Sequence, residues 1–160
     1  MSAIQDLPLS AAMRGESAGT EWLFPIVETV HVLTLTIVFG SIAMVDLRLV
    51  GLTGRGSSIS RLSAETLPWT WTAFAIAALA GMLMFSSKAL IYYGDIPFRL
   101  KMVCLLLAGI NMAMFHWLGT RHLEAWDRGR PPRAAKLAGG ASLLLWTTIV
   151  AAGRWVGFTT

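Results

Sequence analysis

Hydropathy divides this chain into four long apolar stretches separated by short polar connections, at about residues 24–45, 69–92, 98–119 and 137–158. At ~1.5 Å of rise per residue, a helix of about 20 residues crosses a hydrocarbon core of ~30 Å. Residues 1–21 form a mostly polar N-terminal tail. The connection at 94–97 (Gly-Asp-Ile-Pro) leaves room only for an antiparallel hairpin between the second and third spans. Residues 53–58 and 129–132 read as ordinary Gly-, Ser- and Pro-containing loops. Pro25, Pro68 and Pro97 fall at or near expected first turns, where a missing N–H costs nothing. Trp22, Tyr92, Tyr93, Trp117 and Trp155 fall near the expected interfaces, as belt aromatics do. The pattern predicts an all-α polytopic membrane protein, one domain over 1–160, folded as an up-down-up-down four-helix bundle.

Composition supports that class and narrows the partners. With 55% hydrophobic and 14% charged residues, there is no room for a separate soluble domain. The net charge of +4 does not imply nucleic acid, because positive-inside loops give the same excess. The lone Cys104 excludes an intrachain disulfide. Residues 1–21 lack the basic and apolar regions of a cleavable signal, so the first span is expected to be its own insertion signal. The default location is a bacterial cytoplasmic (inner) membrane. Arg48, Arg55, Arg61, Arg121, Arg128, Arg130, Arg133 and Lys136 fall on one face, and Arg14, Lys88, Arg99, Lys101 and Arg154 on the other. That bias of eight to five puts both termini on the periplasmic side.

Ionisable residues inside the spans carry the functional signal, since each needs a partner, a ligand or water. They sort by depth into two layers. The outer layer holds Glu28 and His31 of span one, Lys88 of span two, Lys101 of span three and Arg154 of span four. The inner layer holds Asp46, Arg48, Asn111 and His116. Glu28 and His31 are three apart and share a helix face. Asp46 follows Glu28 by five full turns and returns to the same face about 27 Å away. With Leu35, Val38 and Ile42 between them, that face is expected to turn inward. Asn111 reads as an interhelical hydrogen-bonding group. The pairs Ala77/Gly81 and Gly153/Gly157 have the small-residue spacing of close helix contacts.

His31 and His116 cannot bind one iron between them. Span one places His31 ~10 Å below the outer surface and span three places His116 ~27 Å below it. Each would need a partner at its own depth: Met82 or Met84 for His31, and Met44, a backbone group or water for His116. His/Met ligation occurs in cytochromes.

The segments ETVHVLTLTIVFGSIAMVDLRLVGL from Glu28, LPWTW from Leu67, FRLKMVCLLLAGINMAMFH from Phe98 and AAGRW from Ala151 resemble a family of small bacterial four-span membrane proteins of unknown function. A more distant similarity is to the small membrane protoporphyrinogen oxidases. His31, Gly40 and Arg48-Leu49 look like their first-span pattern, and Arg99-Leu100-Lys101-Met102 with Phe115-His116 like their third. That similarity implies His31 as a haem ligand and Lys101 as part of a porphyrin site. Asp46 stands where those enzymes have proline, Phe98 replaces their Trp, and their Arg-Trp-x-Asn-Glu segment is absent. Shared architecture is implied, and shared activity is not. The copper-resistance inner-membrane proteins are comparable at the same distance, with an early-span His and Met nearby.

Three functions remain open at this point. The first is a b-type haem or porphyrin-binding redox protein. In it His31 ligates the iron with Met84 nearby, Glu28 orients the imidazole, and Lys88, Lys101 and Arg154 pair with propionates. The second is a small proton-linked transporter using both layers, and the third a non-catalytic membrane subunit or scaffold. Besides the lipid bilayer, the partners expected are a homo-oligomer or a larger membrane complex, with no nucleic acid.

Overall fold

The computed structural model describes residues 6–53, 58–119, 126 and 131–159. The helices are α1 (Pro8–Met13), α2 (Leu23–Val50), α3 (Ile59–Ser87), α4 (Ala89–Gly94), α5 (Ile96–Gly119) and α6 (Arg133–Thr159), with no strand among the described residues. Helices α2, α3, α5 and α6 are long and apolar enough to cross a membrane, and at most 28% of the apolar window of any one is buried inside the protein. Leu33, Leu106, Leu144 and Phe158 all face outward. Such a surface suits only a lipid solvent. The chain is a multi-pass membrane protein with an all-α, four-helix transmembrane fold.

Helix ends follow local chemistry, and both ends of α3 depart from the hydropathy limits. Gly51 closes α2 in the left-handed region at φ 92°. The Ser58 side chain accepts the Arg61 N–H at 3.2 Å and starts α3 a full ten residues before its apolar stretch. Pro68, expected at a helix start, therefore sits inside α3. The cap at Ser58 and the polar turns after it extend the helix beyond what hydropathy alone can see. At the other end, α3 stops at Ser87, because Lys88 leaves helical geometry at φ −137°, ψ 41°. The expected run to Tyr92 is instead the separate short α4. Asp95 then accepts the Phe98 N–H at 3.0 Å and caps α5, with Pro97 in the first turn.

Hydroxyl side chains inside the spans are satisfied locally. Thr29, Thr36, Thr72, Thr147 and Thr148 each return a bond to the carbonyl four residues back. Others join helices: the Ser41 and Thr70 hydroxyls meet at 2.7 Å between α2 and α3. Asn111 Nδ2 donates to the Ala138 carbonyl at 3.1 Å between α5 and α6. Thr70→Val is expected to cost about 0.6 kcal/mol, the usual worth of such a bond in a membrane. Thermal melting in detergent reads it, and an unchanged midpoint would show the pair to be energetically silent.

Packing is uneven around the bundle. Helix α2 lies against α3 and α6, and α6 lies against α5, whereas α3 and α5 scarcely approach each other. A seam is left along the side where those two helices face. Mid-bundle, it is blocked by a core of Val38, Ala73, Cys104, Ala108, Trp146 and Ile149, with Phe39 and Phe74 packed on it. Nearer the opposite end from α1, Leu49, Ile59 and Ala135 form a second core with Phe115 and Trp126.

The polar tail is not structureless. Helix α1 packs on α3, with Ser10 and Met13 fully buried. Arg14 donates to the Ser87 carbonyl at 3.3 Å, at the open C-terminal end of α3, and pairs with Glu16 through bonds of 2.6 and 2.9 Å. The Arg14 guanidinium holds the Glu16 carboxyl below its ordinary range. The tie is therefore complete at neutral pH and is lost as pH falls through that lowered value. Arg14→Ala is expected to speed amide exchange across residues 8–13 several-fold while leaving α2 unchanged.

Candidate functional site

A cavity of about 510 Å³ lies among all four spans at the α2 N-terminal end. Its wall includes Glu28, His31, Met84, Lys88, Lys101 and Arg154, every member of the outer layer together with Met84. The sequence therefore brings three cations, one carboxylate and one imidazole to a single site through four separate helices. Met82, matched to His31 by depth alone, is not in this wall and is mostly exposed. Two residues of helical phase separate it from Met84 and turn it to lipid.

His31 is the most closely constrained of these groups. Its Nδ1 lies 2.7 Å from the Ala77 carbonyl on α3, an acceptor, so Nδ1 carries a proton, and in the neutral ring Nε2 keeps its lone pair. The imidazole rests on Gly81, one turn along α3, where an added Cβ would stand 3.0 Å from Cε1. The Ala77/Gly81 spacing, expected as a helix–helix contact, is thus the seat of a histidine. Glu28 was expected to orient this ring. It stands exposed at the cavity mouth, and among the described residues the ring's bond goes to Ala77. A helical offset of three residues places Glu28 on the same side of α2 but ~4.5 Å nearer its N-terminal end.

The opposite wall uses a second glycine in the same manner. Lys101 Nζ from α5 lies 3.4 Å from where a Cβ of Gly153 would be, so its ammonium lies against the bare backbone of α6. Arg154, next in sequence, places its guanidinium 4.9 Å from the centre of the Phe158 ring. An aromatic stack closes the end: Phe85 and Phe98 lie at 5.4 Å, Tyr92 and Phe98 at 5.6 Å. Tyr92 is therefore a buried wall residue instead of the expected belt aromatic. The break at Lys88 turns it inward.

The inner layer is only partly assembled. Asp46 and Asn111 line a second cavity of about 410 Å³ beyond the mid-bundle core. Arg48 is not in its wall. The backbone of His116 belongs to α5, and its side chain lies outside the described residues. The loop at 129–132 is likewise outside them in part, as are residues 54–57 of the first loop.

Among the described residues, no group of three or more His, Cys, Asp and Glu side chains converges as a metal cage would require. A single imidazole can instead be one donor to a metal that brings other ligands of its own. The neighbouring cations suit carboxylates on the same ligand.

No curated protein and no solved structure is similar to the chain. Residues 19–159, from just before α2 to the end of α6, match a family of unknown function, DUF6644, and with almost the whole transmembrane fold covered the chain belongs to that family.

Proposed function

We propose that this protein binds a b-type haem or a related anionic porphyrin in the outer cavity and works in membrane electron transfer or porphyrin oxidation. The observation that carries this is the His31 tautomer, fixed by Ala77 so that Nε2 is the donor, inside a wall that also holds Lys88, Lys101 and Arg154. A cavity of about 510 Å³ falls within the ~300–1,000 Å³ range of sites that enclose a cofactor-sized ligand. Haem would supply one-electron chemistry there. The chain's own residues would do the rest. His31 would ligate the iron, with Met84 close by as a second soft donor. The three cations would neutralise the propionates, and the Phe85, Tyr92 and Phe98 stack would offer an apolar wall. Glu28, exposed at the mouth, would govern access. The eight-to-five charge bias supports a bacterial inner-membrane setting with this cavity on the periplasmic side.

The test is a dithionite-reduced minus air-oxidised spectrum of the detergent-purified protein, with a pyridine haemochrome assay for stoichiometry. A sharp α band at about one haem per chain, lost in His31→Ala, is expected. A colourless protein from haem-replete cells would sink the proposal.

A further inference from the structure

The second cavity has the opposite electrostatic character. Asp46 projects from α2 with only 7% of its surface exposed. Ser142 of α6 hydrogen-bonds its carboxyl, yet Oδ2 is buried and has no hydrogen-bond partner among the described residues. Among the described residues, no Lys, Arg or His side chain stands in the wall, and Asp46 is the one charged residue there. A buried carboxylate is costly unless it is protonated or paired, and an opposite charge brought to it would relieve that cost. The remaining surface indicates what that is. Trp71, Phe74, Phe115 and Trp146 present aromatic rings, the surfaces that hold organic cations. The rest of the lining is largely apolar, with small polar groups such as Ser41, Thr70 and Asn111.

We infer that this cavity is a binding site for a lipophilic organic cation, an ammonium-type or aryl-onium molecule, whose charge pairs with Asp46 and whose body lies against Trp71, Phe74, Phe115 and Trp146. Entry runs through the seam between α3 and α5, where Trp71 is about half exposed on the lipid-facing side. A membrane-soluble cation reaches the site from the bilayer without crossing the mid-bundle core. The outer cavity, with three cations in its wall, would reject the same ligand, so the two sites differ in charge preference within one bundle. The inference stands on Asp46 and its walls and does not depend on haem in the outer cavity.

Tetraphenylphosphonium and tetraphenylborate have nearly the same shape and opposite charge, which makes them the appropriate probes. Equilibrium binding of each to the full chain in a non-ionic detergent is measured at about pH 8. Tetraphenylphosphonium is expected to bind saturably, to weaken at least tenfold in Asp46→Asn, and to be unaffected by His31→Ala. Tetraphenylborate should not compete for that site. Trp71→Ala, a change at the half-exposed wall, should weaken the cation several-fold and provides a second variant if Asp46→Asn does not fold. Absence of saturable binding, an affinity in both variants within twofold of the wild type, or equal competition by the borate would each overturn the inference. A wild-type protein that binds the cation but carries no haem would sink the outer-site proposal alone.

Discussion

Replacing Gly81 with valine is expected to abolish the outer site while His31 itself remains in the sequence. A Cβ at this position would already stand 3.0 Å from His31 Cε1, at the edge of what real contacts allow, and valine adds two further methyl groups on the same side. The ring has little freedom to move aside, because Nδ1 is bonded to the Ala77 carbonyl one turn away on the same helix. Either that bond breaks or α2 and α3 separate. Overpacking of this kind costs about 1–3 kcal/mol. The sign is informative on its own, since Gly→Ala inside a helix ordinarily gains about 1 kcal/mol. Gly109→Ala, where nothing lies within 4 Å of the new Cβ, should show that gain, and Gly81→Ala should not. Bound haem should fall at least tenfold in Gly81→Val. The ¹⁵N imidazole resonances of His31 should also lose the pattern of a fixed Nδ1–H tautomer, a change that is visible whether or not a cofactor is bound. A valine variant with an unaltered His31 signal would show that Gly81 is not the seat of the ring.

That site shows which parts of the molecule hydropathy and spacing can reveal. The phase argument from Glu28 through His31, Leu35, Val38 and Ile42 to Asp46 placed one face of the first span inward. The structure has all six on cavity walls, since a straight helix keeps its phase over five turns. Depth alone also gathered Lys88, Lys101 and Arg154, because rise per residue fixes height whatever the neighbours do. Side-chain direction was the part that could not be read. Met82 and Met84 share a depth and face different solvents. Glu28 shares a face with His31, yet the acceptor is a backbone carbonyl, which carries no mark in the sequence. Likewise, Ala77 and Gly81 were visible as a spacing, but small residues admit a helix, a lipid or an imidazole equally well. The early start of α3 escaped because it rests on a Ser58 cap in a polar stretch, and hydropathy is blind to capping. Asp46 was legible as a buried carboxylate but not as one whose Oδ2 has no hydrogen-bond partner among the described residues. That property depends on which side chains from α3, α5 and α6 converge on it.

The seam between α2 and α6 is where the fold itself is most sensitive. Gly139 and Gly140 are adjacent in α6, and their substitution should give opposite results. At Gly139 a Cβ would lie 3.3 Å from the Asp46 carbonyl oxygen and 3.3 Å from Leu49 Cβ. The first is backbone and the second is fixed to it, so neither can swing away as the end of a long side chain would. Relief requires moving one helix relative to the other, and close approach of α2 and α6 supplies the dispersion contact that stands in for the hydrophobic effect inside a membrane. Gly139→Val is therefore expected to destabilise the protein by about 1–3 kcal/mol, with Gly139→Ala falling between it and wild type. At Gly140 nothing lies within 4 Å, and alanine there should be neutral or mildly stabilising. Thermal or denaturant unfolding in detergent measures both. Because the clash is with the backbone of Asp46, the damage should reach the second cavity as well. Gly139→Ala should weaken tetraphenylphosphonium binding even at temperatures where the bundle remains folded, and Gly140→Ala should not. Equal stabilities for the two alanine variants would mean that α2 and α6 do not approach as closely as Gly139 implies, and the position of Asp46 would have to be reconsidered with them.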